Sequence, residues 1–357
     1  MTFKIMVINP GSTSTKLAVF EDTKEFLRQN ISHTAEELAQ FPNVIEQLEY
    51  RFSGVKEFLD QNNFAIGEFN AIAARGGLLK PIPSGTYLVN ENMLNELKSQ
   101  CYGSHASNLG ALLADRLAKE AGVPAFIVDP IVVDELDPIA RITGRPEIVK
   151  KSIFHALNHK AVAKRFAKQI GRSYENLNLI VAHLGGGITV GCHKNGRIVE
   201  VNNGLDGEGP FSPERAGTVQ AKQFGELVFK QGWNSEEISR VLAGEGGLVA
   251  HLGTSDAREV EKMIALGDEN ARLIYEAMIY QISKYIAAAA IPVYGKVDYI
   301  ILTGGIAYSE YLTQKIIEYV EFIAPVVVMP GEDELQALAE GAFRVLSGQE
   351  KAKEYVD

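Results

Sequence analysis

Hydroxyl side chains, a glycine and a lysine lie close together near the start of the sequence, within residues 9–16. An apolar run precedes this polar stretch and an alternating run follows it, so the pattern predicts a strand, a tight turn and a second strand. Because Gly11 has no side chain, an anion can approach the backbone of the turn. Phosphate oxygens could then be bound by backbone N–H groups and by Ser12, Ser14 and Lys16. The alternative is an ordinary polar hairpin with an exposed lysine.

A second stretch, residues 179–191, repeats this design with an apolar strand, three consecutive glycines and an alternating strand. Glycine weakens a strand unless something must approach its backbone closely, so the run from Gly185 to Gly187 indicates a second phosphate contact. The recurrence predicts two related halves that each begin with a phosphate hairpin and face each other across a cleft.

Two arginines stand where a cation could act on an anionic substrate. Arg75 follows a short predicted strand and precedes two glycines, which makes it a candidate bidentate partner for a carboxylate or phosphate, although it could also be a surface residue. Arg215 lies in residues 202–217, a Gly- and Pro-rich stretch without periodicity, and loops of this length are often functional. From such a loop Arg215 could reach a transferring phosphoryl group.

Three histidines are candidates for contacts with substrate. His105 directly precedes a predicted helix over residues 109–121, so an imidazole and a helix N-terminus share one place. His155 and His159 are four residues apart in a helix predicted over residues 152–170, a spacing that can bind zinc. No third ligand follows at a suitable spacing, so zinc is rejected and one of the two remains a phosphate-binding candidate.

Carboxylates and glycines also follow apolar strands elsewhere in the chain. Asp129 ends such a strand, a place where α/β sheets position ligands and metals, but it could instead cap a turn, and nearby acidic residues leave the choice of carboxylate open. Thr303, Gly304 and Gly305 end another strand, which suits the flat face or the ribose of a nucleotide. The acidic residues 332–334 begin the last helix, where the helix dipole favours them and one could reach a metal.

Composition limits the class of protein. A length of 357 residues predicts two domains, and 46% hydrophobic and 22% charged residues are ordinary for a globular protein. A net charge of −10 without any basic run disfavours nucleic-acid binding. Cys101 and Cys192 lack metal-site spacing, and neither a signal peptide nor a membrane span is recognisable, so we expect a reduced, cytoplasmic protein without membrane association.

Three motifs give the sequence a family resemblance. Asn-Pro-Gly-Ser-Thr-Ser-Thr-Lys at residues 9–16, His-Leu-Gly-Gly-Gly at 183–187 and Leu-Thr-Gly-Gly-Ile at 302–306 resemble, in this order, the two phosphate motifs and the adenosine motif of the acetokinase family. That family belongs to the superfamily of acetate and sugar kinases, Hsp70 and actin, and the resemblance covers nearly the whole chain.

The resemblance implies an α/β protein with two related domains of ribonuclease H-like, actin/Hsp70-type fold and a cleft between them. The domains are expected at residues 1–148 and 149–335, with a final helix at 336–357 packing back on the first domain. The residue pattern along the chain itself gives a last helix over residues 332–346. The boundary is placed near the polar stretch around Pro146.

The resemblance also implies the reaction. Members of the family transfer the γ-phosphoryl group of ATP to a short-chain carboxylate with Mg²⁺, releasing ADP, and they are homodimers or larger. Residues 75–83, 128–134, 152–158 and 211–217 resemble the branch of the family that acts on butyrate. Isobutyrate, valerate and propionate are not separated from butyrate by sequence, because one methylene changes pocket affinity by only about 1–3 kcal/mol. Acetate or propionate as the main acid is the alternative.

Site residues follow from the resemblance position by position. The nucleotide is expected to contact Asn9, Gly11, Ser12, Ser14, Lys16, His183, Gly185, Gly186, Gly187, Thr303, Gly304 and Gly305. The expected catalytic residues are Arg75, Asp129, His155 and Arg215. The acid is assigned to Arg75, His105 and Phe154, and Mg²⁺ to Asp129 and Glu334. Gly186 departs from the asparagine of acetate kinase, and both arginines differ from it in spacing.

Two other functions fit part of the pattern. A non-catalytic, actin-like or Hsp70-like ATP-binding module would explain the phosphate and adenosine motifs, but it leaves Arg75, His155 and Arg215 without a role. A sugar kinase would need a polar pocket for hydroxyl groups and a general base.

Overall fold

The computed structural model describes residues 2–356, which form two compact α/β units. Unit 1 contains the described residues up to Val133 and from Asp333 onward, and unit 2 is Asp134–Glu332. The expected boundaries, after residues 148 and 335, lie farther along the chain. Residues 134–148 are tied into unit 2, where the Asp137 N–H donates to the Val199 carbonyl at 3.0 Å.

Unit 1 contains a seven-stranded sheet in the order β12-β5-β6-β4-β1-β2-β3. Its strands are β1 (Lys4–Pro10), β2 (Ser14–Glu21), β3 (Lys24–Ser32), β4 (Ala71–Arg75), β5 (Thr86–Leu88), β6 (Ala125–Val128) and β12 (Lys353–Glu354). The strands β1, β2 and β3 are an antiparallel meander, and β4 and β6 continue the sheet in parallel with β1. The interior strand β1 is buried almost throughout, as its apolar run requires.

Helices cover both faces of this sheet. They are α1 (Ala35–Leu38), α2 (Leu48–Gln61), α3 (Glu91–Ser99), α4 (Asn108–Ala121) and α12 (Glu334–Leu346). The apolar faces of α2 and α4 pack on one side of the sheet, and α12 packs against β1, β4 and β6. The final helix ends at Leu346, as the residue pattern predicts. It does not continue to residue 357, as the domain assignment expected, because the chain turns there and adds β12 beside β5.

Unit 2 contains a five-stranded sheet in the order β11-β10-β7-β8-β9. Its strands are β7 (Asn178–Leu184), β8 (Ile188–Lys194), β9 (Arg197–Val201), β10 (Tyr299–Thr303) and β11 (Val326–Val328). An antiparallel meander is again followed by two parallel strands, so β9-β8-β7-β10-β11 repeats the arrangement β3-β2-β1-β4-β6 of unit 1. The recurrence of the sequence design therefore reflects a repeated topology.

The helices of unit 2 are α5 (Ala156–Gln169), α6 (Ala221–Gln231), α7 (Ser235–Leu242), α8 (Gly247–Leu252), α9 (Ala257–Ala265), α10 (Glu269–Ala288) and α11 (Glu310–Val320). The largest core lies between the sheet and α10 and α11, whereas α5 covers the opposite face. Helix α5 begins at Ala156 and not at Ser152, so His155 is its N-cap residue and not part of its interior. No helix within residues 2–356 is long and apolar enough to cross a membrane.

Gly341 in unit 1 tests the packing of α12 on the sheet, and Gly225 in unit 2 is a matched control inside another helix. A Cβ at Gly341 in α12 would lie 2.5 Å from both Cγ atoms of Val128, whereas a Cβ at Gly225 in α6 would have no neighbour within 4 Å. We expect Gly341→Ala to lower the free energy of unfolding by about 1–3 kcal/mol through overpacking. Gly225→Ala should raise it by about 0.5–1 kcal/mol through helix propensity. Urea denaturation of both variants measures this, and unchanged stability in Gly341→Ala would contradict the close contact with β6.

Candidate active site

The turn between β1 and β2 leaves several polar groups available. Asn9 lies opposite Lys16 in the strand register and is buried, with its Nδ2 donating to Glu334 Oε2 at 2.7 Å. Its Oδ1 is buried and has no hydrogen-bond partner among residues 2–356. The side chains of Ser12, Ser14 and Lys16 make no hydrogen bond or ion pair with any residue in the range 2–356. This turn therefore has both an unsatisfied acceptor and free donors for a ligand.

Arg51, a residue of α2, supports this turn from inside the protein. Its side chain is 1% exposed, and burial lowers the pKa of its guanidinium. The guanidinium donates to the carbonyl oxygens of Gly11 at 2.9 Å, Ser14 at 3.1 Å and Ser12 at 3.2 Å. Gln47 holds it in place by accepting from Nε and Nη2.

The contacts of Arg51 fix the direction of the peptide groups in the turn. In a trans peptide the C=O and the following N–H point in opposite directions. With the Gly11 and Ser12 carbonyls held toward Arg51, the N–H groups of Ser12 and Thr13 point away from it, and neither has an acceptor among the described residues. The Thr13 carbonyl is also occupied, because the His33 N–H donates to it at 2.8 Å. Adjacent N–H groups arranged in this way form an anion-binding concavity.

An ion pair lies beside the turn. Arg75, at the end of β4, pairs through Nη1 with Glu334 Oε1 at 3.1 Å, and Glu334 is the first residue of α12. The same carboxylate accepts from Asn9, so three of the expected site residues are in direct contact. The pKa of His105 is lowered, first by desolvation and then by the positive charge of Arg75, which places these two residues near each other.

Asp129 has a local structural role. Its Oδ1 accepts from Ser84 Oγ at 2.6 Å and from the Gly85 N–H at 2.7 Å, and its own backbone has a positive φ of 39°. These bonds hold the segment before β5 against the end of β6, as the turn-cap alternative predicts. Within residues 2–356 no group of three or more His, Cys, Asp or Glu side chains could hold a metal.

The donor chemistry nevertheless fits Mg²⁺. This ion prefers oxygen ligands and is usually held by one or two carboxylates together with substrate phosphates and waters, so it does not need a protein cage. Glu334 supplies a carboxylate, and the unpartnered Oδ1 of Asn9 is a further oxygen next to it.

In unit 2, Arg215 lies directly against the glycine hairpin. A Cβ added at Gly187 would be 2.0 Å from Arg215 Cζ, and one at Gly204 would be 2.8 Å from Nη1. Nη1 donates to the Gly204 carbonyl at 2.8 Å, and burial lowers the pKa of this arginine. Ser212 Oγ donates to the Gly186 carbonyl at 2.6 Å, so the long loop is bound to the hairpin. Gly187 is thus required by a contact within the protein, namely the guanidinium of Arg215.

Two stacked imidazoles adjoin this hairpin. The rings of His155 and His183 have centroids 3.8 Å apart and are inclined by 14°. His183 Nδ1 faces Asn158 Oδ1 at 2.8 Å, and its Nε2 faces Glu332 Oε2 at 3.2 Å. His155 Nδ1 lies 2.9 Å from Thr189 Oγ1.

The strand end at residues 303–305 combines close packing with open space. Thr303 Oγ1 donates to the Gly331 carbonyl at 3.1 Å. Gly304 has a φ of 91°, and a Cβ there would lie 2.3 Å from the Leu184 carbonyl oxygen, so the backbone requires glycine. A Cβ at Gly305 would have no neighbour within 4 Å, which leaves room for a ligand. Phe154 is buried and contacts the ring of His159 edge-on.

Sequence reasoning missed the residues that support the site, above all Arg51 and Thr189. A signal for Arg51 was present, because it is three residues after Leu48 and four before Val55 and thus lies on the apolar side of α2. A charged residue in that position needs polar partners inside the protein. Thr189 carried no signal, since one threonine in an alternating strand is ordinary.

Comparisons with known proteins agree with the sequence motifs. A family model described as the acetokinase family matches residues 139–330. Butyrate kinase 2 of Clostridium acetobutylicum is 54% identical over 355 residues, which are 99% of this chain and 100% of that protein.

Solved structures confirm the expected fold class. Acetate kinase from Porphyromonas gingivalis has a TM-score of 0.77 at 19% identity, over 95% of this chain and 99% of the other. A propionate kinase from Francisella tularensis has a TM-score of 0.74 at 21% identity, over 95% and 98% of the two chains. At these identities the likeness shows the fold alone.

Replacing Arg51 tests whether it supports the ligand-binding turn as well as the stability of the fold. Arg51→Met keeps much of the volume but leaves buried carbonyls without donors, at about 1–3 kcal/mol for each unsatisfied group. We expect lower stability, together with at least a ~10-fold weaker affinity for ADP, which corresponds to about 1.4 kcal/mol. Urea denaturation and calorimetric titration of the folded protein measure the two effects.

Arg116→Met is the matched control in the same unit, because Arg116 is a partly exposed arginine paired with Glu49. It should change stability by about 1 kcal/mol or less and leave ADP binding intact. If Arg51→Met lost stability but bound ADP normally, the turn would not depend on Arg51 for its ligand.

Proposed function

This chain belongs to the acetokinase family, and we propose that it transfers the γ-phosphoryl group of ATP to butyrate, giving butyryl phosphate and ADP. The family resemblance found in the motifs is confirmed, and the protein is a phosphotransferase that acts on a carboxyl group of a short-chain fatty acid. Butyrate is favoured over acetate and propionate because the relative with 54% identity is a butyrate kinase.

The buried position of Arg215 is the observation that supports this function best. Its guanidinium is largely buried beside the glycine hairpin, and although the charge of Glu214 acts on it, it forms no direct ion pair with a described carboxylate. Burying a cation without a directly paired anion is unfavourable, so the position suits an anion supplied by a substrate. A non-catalytic nucleotide-binding module would have no need of such a residue, which disfavours that alternative.

The reaction requires no general base. A carboxylate is already deprotonated near neutral pH, and one of its oxygens attacks the γ-phosphorus in line. The new oxygen–phosphorus bond forms as the bond between the γ-phosphorus and the ADP oxygen breaks. Catalysis then consists of positioning and of neutralising charge on the transferring group, as expected for a loose phosphoryl-transfer transition state.

We assign the expected residues to these tasks. The N–H groups of Ser12 and Thr13, with the side chains of Ser14 and Lys16, bind phosphate oxygens of the nucleotide. Arg75 and His105 hold the carboxylate of the acid, and Phe154 contributes to its apolar surroundings. Arg215 and His155 donate hydrogen bonds to the transferring phosphoryl oxygens, while the hairpin at 185–187 and its neighbour His183 bind the adjoining phosphates.

The remaining assignments concern the metal and the adenosine. Glu334, with Asp129 and the Oδ1 of Asn9, would hold Mg²⁺, which neutralises charge on the nucleotide phosphates when it is bound. The ion pair with Arg75 orients the Glu334 carboxylate. The open space over Gly305, beside Thr303 and Gly304, accommodates the adenosine.

We also propose that the enzyme works in the cytoplasm as a homodimer or larger homo-oligomer. Support comes from α10 of unit 2, where Leu273 is 67% and Tyr280 is 51% exposed, and from α11, where the exposed Tyr319 contacts the Tyr280 ring edge-on. Phe322, just after α11, is 80% exposed. Exposed apolar surface of this kind is typical of protein–protein contacts.

Activity with a panel of acids tests the proposed substrate. Trapping acyl phosphate with hydroxylamine, alongside ADP release, should show acid-dependent turnover with butyrate. Each methylene added or removed should change kcat/KM by roughly 10–200-fold. Acetate or propionate as the best acid would contradict the assignment, and ADP release that is slow with or without acid would indicate a module without kinase activity. Glycerol and glucose in the same assay test for a sugar kinase.

Arg215→Ala tests the role of the buried guanidinium. Losing an arginine that stabilises the transferring group lowers kcat by about 10³-fold or more. Arg145→Ala is the control, because Arg145 is a mostly exposed arginine of the same unit that pairs with Glu147 on the surface. Near-normal turnover in Arg215→Ala, with the fold intact by circular dichroism, would show that this arginine does not act on the phosphoryl group.

A further inference from the structure

A continuous line of hydrogen bonds runs from the interior of unit 2 to His155. Tyr174 OH lies 2.8 Å from His193 Nδ1, and His193 Nε2 lies 3.3 Å from His159 Nδ1. His159 Nε2 lies 3.0 Å from Thr189 Oγ1, which in turn lies 2.9 Å from His155 Nδ1. The proposed reaction uses only His155, so the other four polar groups lack a role in it.

These groups are inaccessible to water. His159, His193 and Thr189 are 0% exposed, and Tyr174 is 4% exposed. Burial is the largest cause that lowers the pKa of His159 to about 3, with further contributions from the charges of His183 and Lys160. Burial likewise holds the pKa of His193 well below its usual value. Both rings are therefore neutral near pH 7, and each has one donor nitrogen and one acceptor nitrogen.

Along such a line of neutral imidazoles, every hydrogen bond must be donated in the same direction. If Tyr174 donates to His193 Nδ1, then His193 Nε2 carries the proton and donates to His159 Nδ1. His159 Nε2 then carries its proton and donates to Thr189 Oγ1, whose hydroxyl hydrogen is left for His155 Nδ1. In the reverse order His155 Nδ1 would carry the proton and its Nε2 would be unprotonated.

The chemistry of the Tyr174 end favours the first order. A phenol is a stronger hydrogen-bond donor than acceptor, and an imidazole nitrogen is a good acceptor for it. With Tyr174 as the donor to His193, the hydrogens along the line are directed toward His155.

We infer that the buried line from Tyr174 through His193, His159 and Thr189 fixes the tautomer of His155, keeping its proton on Nε2. Applied to the proposed function, on which this step rests, the line presents an N–H at the ring nitrogen that donates to the transferring phosphoryl group. Thr189, His159, His193 and Tyr174 are thus positioning residues, since they act through His155 and do not touch the substrate.

The tautomer can be measured directly in the full-length protein. The chain has seven histidines, so ¹⁵N-histidine labelling gives a tractable set of ring signals, with those of His155 identified by their loss in His155→Asn. Correlation of ring nitrogens with carbon-bound ring protons reports which nitrogen is protonated. We expect the Nε2-protonated form for His155 in the wild-type protein without substrate.

Matched variants test the line itself. Thr189→Val removes the hydroxyl with little change in shape, and should give a mixture of His155 tautomers, whereas Thr189→Ser keeps the hydroxyl and the wild-type tautomer. Tyr174→Phe removes the donor at the far end and should also increase the Nδ1-protonated form; it serves as the test if Thr189→Val does not fold. A His155 protonated on Nδ1 in the wild-type protein, or a tautomer unchanged in the folded hydroxyl-deficient variants, would overturn the inference.

Kinetics separate this inference from the proposed function. With butyrate and ATP, Thr189→Val should lower kcat by about 10–100-fold, less than the 10²–10³-fold typical of deleting a donor outright. Both KM values should change by less than about threefold, because ground-state binding is retained. A shifted tautomer with unchanged kcat would overturn the donor role of His155 in the reaction. Absence of any butyrate kinase activity in the wild-type protein would instead overturn the proposed function, and the tautomer measurement would remain valid.

Discussion

The buried contact between Arg51 and the β1–β2 turn is the constraint on which the proposed first phosphate site depends. Peptide groups are dipoles, and a turn can present either its carbonyls or its N–H groups to a ligand. Because Arg51 binds the Gly11, Ser12 and Ser14 carbonyls, the turn presents its N–H groups to a ligand. An arginine suits this task because its planar fork has five donors and stays charged when buried. The free side chains of Ser12, Ser14 and Lys16 then add to a backbone that already favours anions.

Unit 2 repeats the topology of unit 1 but organises its hairpin differently. There Gly187 has no side chain, so Arg215 can lie against its backbone, and in the proposed function the stacked His155 and His183 complete the set of donors. Fixed donors of this kind need no reorganisation as charge develops on a phosphoryl group, which is how electrostatic catalysis works. The role proposed for the buried line behind Thr189 has the same basis, because it would set the direction of a donor before the substrate binds.

Local patterns predicted the elements well where one periodicity dominated. The hairpins, the strand before Arg75, helix α4 and the repeated halves follow from apolar runs and glycine turns. The start of α5 was placed four residues early, since the chain begins the helix only after His155. The end of α12 at Leu346 follows from the residue pattern, but the strand β12 was missed because its pairing with β5 is a contact between distant residues. For the same reason sequence patterns identified candidates for the site but not the supports: Arg51, Thr189 and the Arg75–Glu334 pair depend on tertiary packing.

The central claim is that the β1–β2 turn binds phosphate through N–H groups that Arg51 directs away from the protein interior. A crystal structure of the protein with bound ADP tests it most directly. The account predicts phosphate oxygens within hydrogen-bonding distance of the Ser12 and Thr13 N–H groups, with the contacts of Arg51 to the Gly11 and Ser12 carbonyls retained. A nucleotide whose phosphates lie away from this turn, or a turn whose carbonyls face the phosphates, would contradict it.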